Sequence, residues 1–157
     1  MVIKIKEPMP SAAVAQQVLE LIHTAYADQT EEFELEVPAL TFTQDSLRQT
    51  IEDETLAVAN LGRGLVGSVL YTVQGDDLFL HTLAVSPDHR RRGIAVALIE
   101  HVCACARLGG YRRVTLNAPA NHKENHRLFE RLGFREIPTN TWDAYKTPTY
   151  RRMAKNL

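Results

Sequence analysis

The sequence predicts a mixed α/β domain in which antiparallel strands come first and a helical crossover comes later. Three apolar runs separated by short glycine-containing turns predict three neighbouring antiparallel strands. A helical pattern follows the third run, and another strand follows that helix, so the strands on either side of the helix should be parallel. At 157 residues, 45% of them hydrophobic, the chain has the size of one compact unit. We therefore expect residues 1–157 to form a single domain.

The N-terminal part of the chain predicts one strand and two helices. Isoleucines alternate with lysines over Val2–Lys6, as in a half-buried strand. Ser11 is a suitable N-cap for a helix over about Ala12–Ala27, in which apolar residues recur at helical spacing. Thr43 is a suitable N-cap for a second, short helix that extends to about Glu52. The apolar residues of the first helix should face the core.

The middle of the chain predicts the antiparallel strands and the crossover helix. The strands are expected at Thr55–Asn60, Leu65–Val73 and Leu78–Val85. The helix is expected over about Arg92–Leu108, where Gly109 and the glycine after it end the pattern. Its core-facing residues are predicted to be Ile94, Leu98, Ile99, Val102 and Ala106.

The C-terminal part predicts a further strand, a helix and a closing strand. The strand is expected at Arg113–Asn117, the helix at Lys123–Leu132 with Gly133 as its C-terminal cap, and the closing strand at Thr149–Ala154. In total we expect a mostly antiparallel sheet of six to seven strands, flanked by about four helices. The parallel strand pair should splay where its pairing ends and open a notch.

The charges are segregated along the chain, although the formal net charge is only −1. Residues 7–47 contain eight acids and no lysine or arginine. Within them, Asp28–Phe42 is acidic and aperiodic, which predicts a loop or a poorly regular helix. Residues 86–135 contain ten basic residues against four acids, a net charge of +6. A nucleic-acid-binding protein would usually be basic overall, so this pattern favours an anion-binding half beside an acidic half.

Several classes of protein and site are disfavoured by what the sequence lacks. No apolar run approaches the roughly 18 residues of a membrane span, and the N-terminus lacks a signal-peptide pattern, so we expect a cytoplasmic protein without membrane contact. Cys103 and Cys105 lie two apart in a predicted helix and are expected to be buried small residues rather than a disulfide or metal pair. His122 and His126 have helical ligand spacing but no third ligand, so no metal site is predicted.

The stretch Leu78–Ile99 combines a strand, a turn, three consecutive arginines, a glycine and the start of a helix. The first turn of a helix has N–H groups without intrahelical partners and a partial positive charge. Glycine lets a bulky anion approach the backbone, and arginines add charge. The stretch therefore predicts a site for a phosphate-bearing ligand. The alternatives are a solvated helix start and a nucleic-acid patch.

With these residues in view, the chain resembles the GNAT superfamily of acetyl-CoA-dependent N-acetyltransferases. The superfamily signature Q/R-x-x-G-x-G/A is met by Arg90–Ala95, directly after the family-like strand Leu83–Val85. The stretch Leu128–Phe134 is similar to the family's L-Y-x-x-x-G-F helix end, and Arg152–Leu157 is similar to its basic closing strand. The element order resembles the family over essentially the whole chain.

The resemblance implies that acetyl-CoA is the acyl donor. The amides of Arg91–Val96 would hold the pyrophosphate, and the backbone of Leu83–Val85 would pair with the pantetheine arm. The N–H near Leu83 would face the thioester oxygen, which makes Leu83 a catalytic residue through its backbone. The residues implied to bind the cofactor are Leu83, Ala84, Val85, Arg90, Arg91, Arg92, Gly93, Ile94, Ala95, Val96, Asn125 and Phe129.

The implied reaction is direct attack of a primary amine on the thioester carbonyl through a tetrahedral intermediate. The amine must lose a proton, and many family members use a glutamate on the fourth strand for this step. His81 occupies the matching position, and histidine as a residue type titrates near physiological pH. His81 is therefore the predicted catalytic base. The alternative is a histidine that is hydrogen-bonded in the core or only lines the pocket.

The family's usual tyrosine, which protonates the departing thiolate, is replaced by Phe129. Water could serve instead, or a tyrosine from elsewhere such as Tyr145. The replacement also leaves open a second function, a non-catalytic or weakly catalytic acyl-CoA-binding module. The acidic N-terminal part favours a cationic acceptor, either a small amine or a protein amine, and the alternative is a solvated acidic loop. Tyr26, Phe33 and Trp142 either line the acceptor site or pack. The resemblance also suggests a homodimer, a common assembly in the family.

Overall fold

The computed structural model describes residues 2–27, 41–119, 123–138 and 150–157. Within these ranges the chain forms seven strands and four α-helices. The strands are β1 (Ile3–Lys6), β2 (Thr55–Leu61), β3 (Gly64–Gln74), β4 (Asp77–Val85), β5 (Arg113–Pro119), β6 (Arg135–Glu136) and β7 (Tyr150–Asn156). The helices are α1 (Ala12–Tyr26), α2 (Gln44–Asp53), α3 (Ile94–Leu108) and α4 (Lys123–Arg131).

The strands form one mixed sheet with the hydrogen-bonded order β1-β2-β3-β4-β5-β7-β6. The β1–β2, β2–β3, β5–β7 and β6–β7 pairs are antiparallel, whereas β4 and β5 are parallel. The parallel pairing runs from Asp77 opposite Arg113 to Phe79 opposite Thr115, and both strands continue beyond it. The predicted fold class, including the parallel pair made by the crossover helix, is confirmed.

The helix starts follow from the capping residues in the sequence. The Ser11 side chain accepts a hydrogen bond from the N–H of Val14 at 3.1 Å, as an N-cap of α1 should. Thr43 and Ser46 form a reciprocal capping box at the start of α2. Such caps each contribute about 1 kcal/mol to helix stability. Both helix starts were predicted correctly.

Besides shifts of one or two residues at other element ends, one helix start and one strand differ from the prediction. α3 begins at Ile94 rather than at Arg92, because Gly93 has a φ of +80° and Arg91 a φ of +65°, which right-handed helical backbone cannot include. The two-residue strand β6 was not predicted, since two residues carry no periodic pattern. The segment Asp28–Phe42, expected to be a loop or a poorly regular helix, lies outside the described residues except at its last two positions.

The backbone forms two compact units. The first comprises Met1–Thr72 and Thr82–His101, and the second comprises Val73–His81 and Val102–Leu157. The prediction of a single domain over residues 1–157 stays a prediction.

The core of the first unit lies where α1 and α2 pack on strands β2, β3 and β4. Apolar residues of both helices contact apolar strand residues there. Ile22 of α1 and Leu47 of α2 are fully buried in this cluster, and Ala84 of β4 is 1% exposed. Burial of side chains of this size contributes about 1.5–3 kcal/mol each. Burial of Ala84 in this cluster fixes the C-terminal end of β4 to the core of the first unit.

The second unit is built around β5, which pairs with β4 on one side and with β7 on the other. The Arg113 side chain of β5 donates a hydrogen bond to the Asp77 carboxylate of β4 at 2.9 Å, where the parallel pairing begins. The Arg112 N–H donates to the carbonyl of Asp76, so the register of the pair is held from two adjacent positions. The C-terminal end of β7 is fixed by a hydrogen bond from the Leu157 N–H to the Arg112 carbonyl.

Among the described residues, no helix has the length and apolar character needed to cross a membrane. Cys103 and Cys105 both lie on α3. Cys103 is buried as predicted, whereas Cys105 is only half-buried.

Candidate functional site

The candidate cofactor residues of the first unit lie in one continuous stretch, the Leu83–Val96 segment. It comprises the end of β4, a short 3-10 helix at Pro87–His89, a loop and the first turn of α3. The Ser86 N–H donates to the Val66 carbonyl of β3 at 2.8 Å, and the His89 ring contacts the Ser86 hydroxyl at 3.2 Å. The turn that leaves the sheet is therefore anchored to β3.

The loop before α3 carries two left-handed residues. Arg91 has a φ of +65° and Gly93 a φ of +80°. Successive backbone N–H groups in a turn that contains left-handed residues can line a concavity that suits anions. The Gly93 carbonyl accepts the first intrahelical bond of α3, from the N–H of Ala97 at 3.0 Å. The helix therefore supplies no partner for the amides of Gly93 to Val96.

The side chains of this loop and helix start differ in burial. Arg91, Arg92 and Gly93 are exposed, Ile94 is buried, and Ala95 and Val96 are half-buried. Because the residues at this helix start have apolar side chains, they can offer an anion only their backbone N–H groups. The arrangement combines backbone N–H groups that lack intrahelical partners with two exposed arginines, the features that favour an anion at a helix start.

Gly67 on β3 positions the start of α3, and the sequence reasoning did not single it out. A Cβ atom at this position would lie 2.7 Å from Cγ2 of Ile94 and 3.0 Å from Cδ1 of Leu98. Only a residue without a side chain lets the first turns of α3 approach the strand this closely. An isolated glycine inside a strand pattern is a signal for such close approach, so Gly67 was detectable in principle.

Arg90, the first residue of the R-x-x-G-x-A motif, attaches the loop to α1. Its Nη2 atom donates a hydrogen bond to the Ala25 carbonyl at 2.9 Å. That carbonyl lies in the last turn of α1, where carbonyl groups lack intrahelical partners and a cation is favoured. Arg90 therefore holds the loop in place, and its contact with a cofactor stays a prediction.

Leu83 is held by a second bond from the same helix end. The Tyr26 hydroxyl donates to the Leu83 carbonyl at 2.5 Å. Thr82, the residue before Leu83, has a φ of +53°, an uncommon backbone conformation for a β-branched residue. Tyr26 and Leu83 are 57 positions apart in the sequence, and no local pattern indicates the contact between them.

His81 belongs to the second unit, where its ring stacks on that of Phe79. The ring centroids are 5.5 Å apart, and the planes are inclined by 19°. The Arg152 guanidinium lies 5.7 Å from the Phe79 ring centroid and also donates to the Gln74 side chain at 3.0 Å. The half-buried imidazole is thus supported through Phe79 by a cation that is itself held in place.

Asn125 and Phe129 lie on α4, also in the second unit. Asn125 is half-buried, whereas Phe129 is 6% exposed. The Phe129 ring packs edge-on against Phe134, with centroids 6.0 Å apart. The aromatic ring at this position therefore belongs to the packing between the end of α4 and the start of β6.

Three of the eight acids in residues 7–47 lie in the described part of the chain, and each has a local contact or position that accounts for it. Glu7 accepts hydrogen bonds from the Tyr71 hydroxyl at 2.5 Å and contacts the His101 ring at 2.8 Å. Glu20 accepts from Gln16, and Asp45 lies in the first turn of α2. The other five acids, at positions 28–36, lie outside the described residues, as do Phe33, His122, Trp142 and Tyr145.

Comparison with models of protein families identifies the class of protein to which this fold and the Leu83–Val96 segment belong. A model of the acetyltransferase (GNAT) family matches residues 18–134. The chain belongs to the GNAT acetyltransferase family. A comparison with curated proteins found no match.

Solved structures with this fold cover nearly the whole chain. An acetyltransferase from Streptococcus agalactiae has 23% identity and a TM-score of 0.75, over 99% of this chain and 98% of that one. The PaiA N-acetyltransferase from Thermoplasma acidophilum, in complex with coenzyme A, has 14% identity and a TM-score of 0.84, over 100% of both chains. The ribosomal-protein-S18-alanine N-acetyltransferase from Escherichia coli has 18% identity and a TM-score of 0.76, over 99% of this chain and 94% of that one. At these identities the likeness establishes the fold.

Proposed function

We propose that the protein transfers an acetyl group from acetyl-CoA to a primary amine. Membership of the GNAT acetyltransferase family supports the reaction class. The similarity in fold to an N-acetyltransferase in complex with coenzyme A supports the donor. The transfer as proposed uses no metal ion.

The observation that carries the proposal is the loop Arg90–Gly93 between β4 and α3. Its left-handed residues Arg91 and Gly93 precede the amides that α3 leaves without intrahelical partners. Coenzyme A carries a pyrophosphate, and a helix N-terminus with exposed arginines favours such an anion. The adjoining strand residues Leu83–Val85 would pair with the pantetheine arm as an added strand does.

The chemistry requires a proton acceptor and a stabilised oxyanion. The amine nitrogen attacks the thioester carbonyl, so a C–N bond forms and the carbonyl oxygen becomes an oxyanion. The Leu83 N–H would stabilise this oxyanion, and His81 would accept the proton from nitrogen, directly or through water. Collapse of the intermediate then breaks the C–S bond and releases the coenzyme A thiolate.

The missing hydroxyl at Phe129, where the family usually has the tyrosine that protonates the leaving thiolate, favours a second candidate function. Phe129 has no hydroxyl, and its buried ring packs on Phe134, so this residue cannot protonate the thiolate. Thiols have an ordinary pKa of about 8.5, which makes the thiolate a fair leaving group without an acid. A protein that binds acyl-CoA without transferring the acyl group is the second candidate, and the same observation favours it.

A cationic acceptor is the substrate class we propose. The five acids at positions 28–36 follow directly after α1, whose last turn contacts Leu83 and the loop. A concentration of carboxylates attracts amines in their protonated form and raises their local concentration. Polyamines, aminoglycoside-like amines, peptide N-termini and lysine side chains all belong to this class.

The test is release of free thiol from acetyl-CoA across a panel of amines, with mass spectrometry of each acceptor and calorimetric titration of coenzyme A in parallel. The proposal predicts acetylated amine in amounts equal to the thiol released. Coenzyme A binding without any acetylated product would favour the binding module instead. Turnover of acidic acceptors and none of amines would contradict the acceptor class.

The role of His81 is tested by His81→Gln, with His23→Gln on the exposed face of α1 as the matched control. A general base contributes typically about 10²–10⁴-fold to kcat, so His81→Gln should lower kcat by about that factor while the Kd for acetyl-CoA changes little. Unchanged kcat in His81→Gln would remove His81 from the mechanism. The cytoplasmic location and the homodimer stay predictions.

A further inference from the structure

We infer that Tyr26 is a positioning residue, which holds the Leu83 backbone in the conformation that receives the thioester oxygen. The inference rests on the proposed function for its catalytic consequence. Its structural part, the fixing of Leu83 by Tyr26, is testable without any substrate.

The hydrogen bond from the Tyr26 hydroxyl acts on one planar peptide group. At 2.5 Å from the Leu83 carbonyl oxygen, the hydroxyl fixes the orientation of that carbonyl. Since the peptide group is rigid, the Ala84 N–H and the Cα atom of Leu83 are fixed with it. The bond therefore restrains Leu83 on its C-terminal side.

On its N-terminal side, Leu83 follows Thr82, which has an unfavourable left-handed backbone conformation. Thr82 has a φ of +53° and is β-branched, so its backbone is strained. Strained backbone persists only where the surrounding structure determines it strongly. The orientation of the peptide group between Thr82 and Leu83, which carries the Leu83 N–H, depends on keeping Thr82 in this conformation.

Packing and hydrogen bonds restrain the residues that follow Thr82. Ala84 is 1% exposed within the core of the first unit, and the Ser86 N–H is bonded to the Val66 carbonyl at 2.8 Å. The Leu83 side chain is only half-buried, so packing holds it less firmly than Ala84. The Tyr26 hydroxyl supplies the polar restraint at this less tightly packed position.

Tyr26 is delivered by a rigid element. α1 is buried in the core through Val18, Ile22 and Ala25, and the Arg90 side chain bonds to the Ala25 carbonyl next to Tyr26. The last turn of α1 thus contacts both ends of the stretch from Leu83 to Arg90. A side chain presented by a packed helix holds its target more precisely than one presented by a loop.

The experiment compares Tyr26→Phe with Tyr71→Phe. Each variant removes one tyrosine hydroxyl that makes a 2.5 Å hydrogen bond in the first unit, but the acceptor of the Tyr71 bond is Glu7, which lies outside the Leu83–Val96 segment. Two readouts are needed, namely amide hydrogen exchange of Ala84 by NMR in the protein without ligand, and kcat with KM for acetyl-CoA.

Loss of one hydrogen bond corresponds to about a 10-fold change in a local equilibrium. We therefore expect Ala84 exchange to accelerate by about 5- to 10-fold in Tyr26→Phe, and by less than about 2-fold in Tyr71→Phe. kcat should fall by about 10-fold in Tyr26→Phe, with KM for acetyl-CoA changed by less than about 3-fold, because the restraint acts on oxyanion stabilisation.

The outcomes separate the inference from the proposed function. Faster Ala84 exchange in Tyr26→Phe, in a protein whose wild type has no transferase activity, supports the fixing of Leu83 and overturns the catalytic role. Exchange that matches the Tyr71→Phe control overturns the inference, whatever the activity of the wild type. Faster exchange with unchanged kcat overturns the positioning role and leaves the proposed transferase intact.

Discussion

Gly67 on β3 and Ile94 at the start of α3 are so close that a methyl group on the glycine would lie 2.7 Å from Cγ2 of the isoleucine. Ile94 and Leu98 are both buried, so a methyl group at position 67 would force one or both of these core side chains to shift. The helix start that we propose to hold the pyrophosphate is therefore set by a missing side chain on the neighbouring strand.

Gly67→Ala should displace the first turn of α3 from the sheet. Overpacking of this kind costs about 1–3 kcal/mol, and the displaced amides should also bind coenzyme A at least about 10-fold more weakly. Urea unfolding and calorimetric titration measure the two effects. Gly64→Ala is the matched control. Gly64 lies on the same strand as Gly67, but a Cβ there would make only an ordinary 3.6 Å contact with the Leu61 carbonyl oxygen. Equal coenzyme A affinity in both variants would contradict this account of the helix start.

Gly93→Ala tests the left-handed loop rather than its packing. Gly93 has a φ of +80° and open space around its Cα atom, so alanine should introduce only backbone strain, of about 1–2 kcal/mol. Gly62→Ala in the β2–β3 turn introduces the same kind of strain at a φ of +59°, also in open space. Both variants should lose similar stability, but only Gly93→Ala should weaken coenzyme A binding in a calorimetric titration. Equal weakening by the two variants would refute a specific role for the loop.

Phe79→Leu tests whether the stack beneath His81 matters for catalysis. The stacked ring pair has centroids 5.5 Å apart, and such pairs contribute about 0.5–1.5 kcal/mol beyond their buried area. Loss of the ring should leave the imidazole less well oriented and lower kcat by about 3- to 10-fold. The KM for acetyl-CoA should stay nearly constant in steady-state assays. A kcat equal to that of the wild type would mean that His81 needs no support from Phe79.

Thr115→Val concerns stability alone. In the part of the chain that the structure describes, the Thr115 hydroxyl is buried without a hydrogen-bond partner, and the residue is 0% exposed. Replacing it with an isosteric methyl group should stabilise the protein by about 1 kcal/mol, which corresponds to roughly 2–4 °C in Tm. Thr115→Ser keeps the hydroxyl and removes the methyl group, so it should lower Tm. A lower Tm in Thr115→Val would indicate that the hydroxyl is satisfied in solution.

Local patterns predicted most of the fold. Ser11 and Thr43 cap helices where the sequence places caps, and the buried residues of α3 include Ile94, Leu98 and Val102, as its periodicity predicts. These features depend on residues within a few positions of one another. For the same reason the start of α3 was misplaced by two residues, because the left-handed conformation of Arg91 has no signal in the sequence.

The candidate site was predictable only in part. The R-x-x-G-x-A motif indicated the helix start, since glycine and arginine have recognisable roles there. The contacts that hold the site join residues far apart in sequence, such as Tyr26 with Leu83 and Arg90 with Ala25. No local pattern records which hydroxyl meets which carbonyl. The strain at Thr82 was equally invisible, because any residue type can be forced into it by its surroundings.

The central claim is that the Leu83–Val96 segment binds acyl-CoA, and titration of the ¹⁵N-labelled protein with coenzyme A tests it most directly. We expect saturable changes in amide chemical shift that are largest at Leu83–Val85 and at Gly93–Val96. Saturable binding with its largest changes elsewhere, for example along β2, or no binding at millimolar coenzyme A, would contradict it.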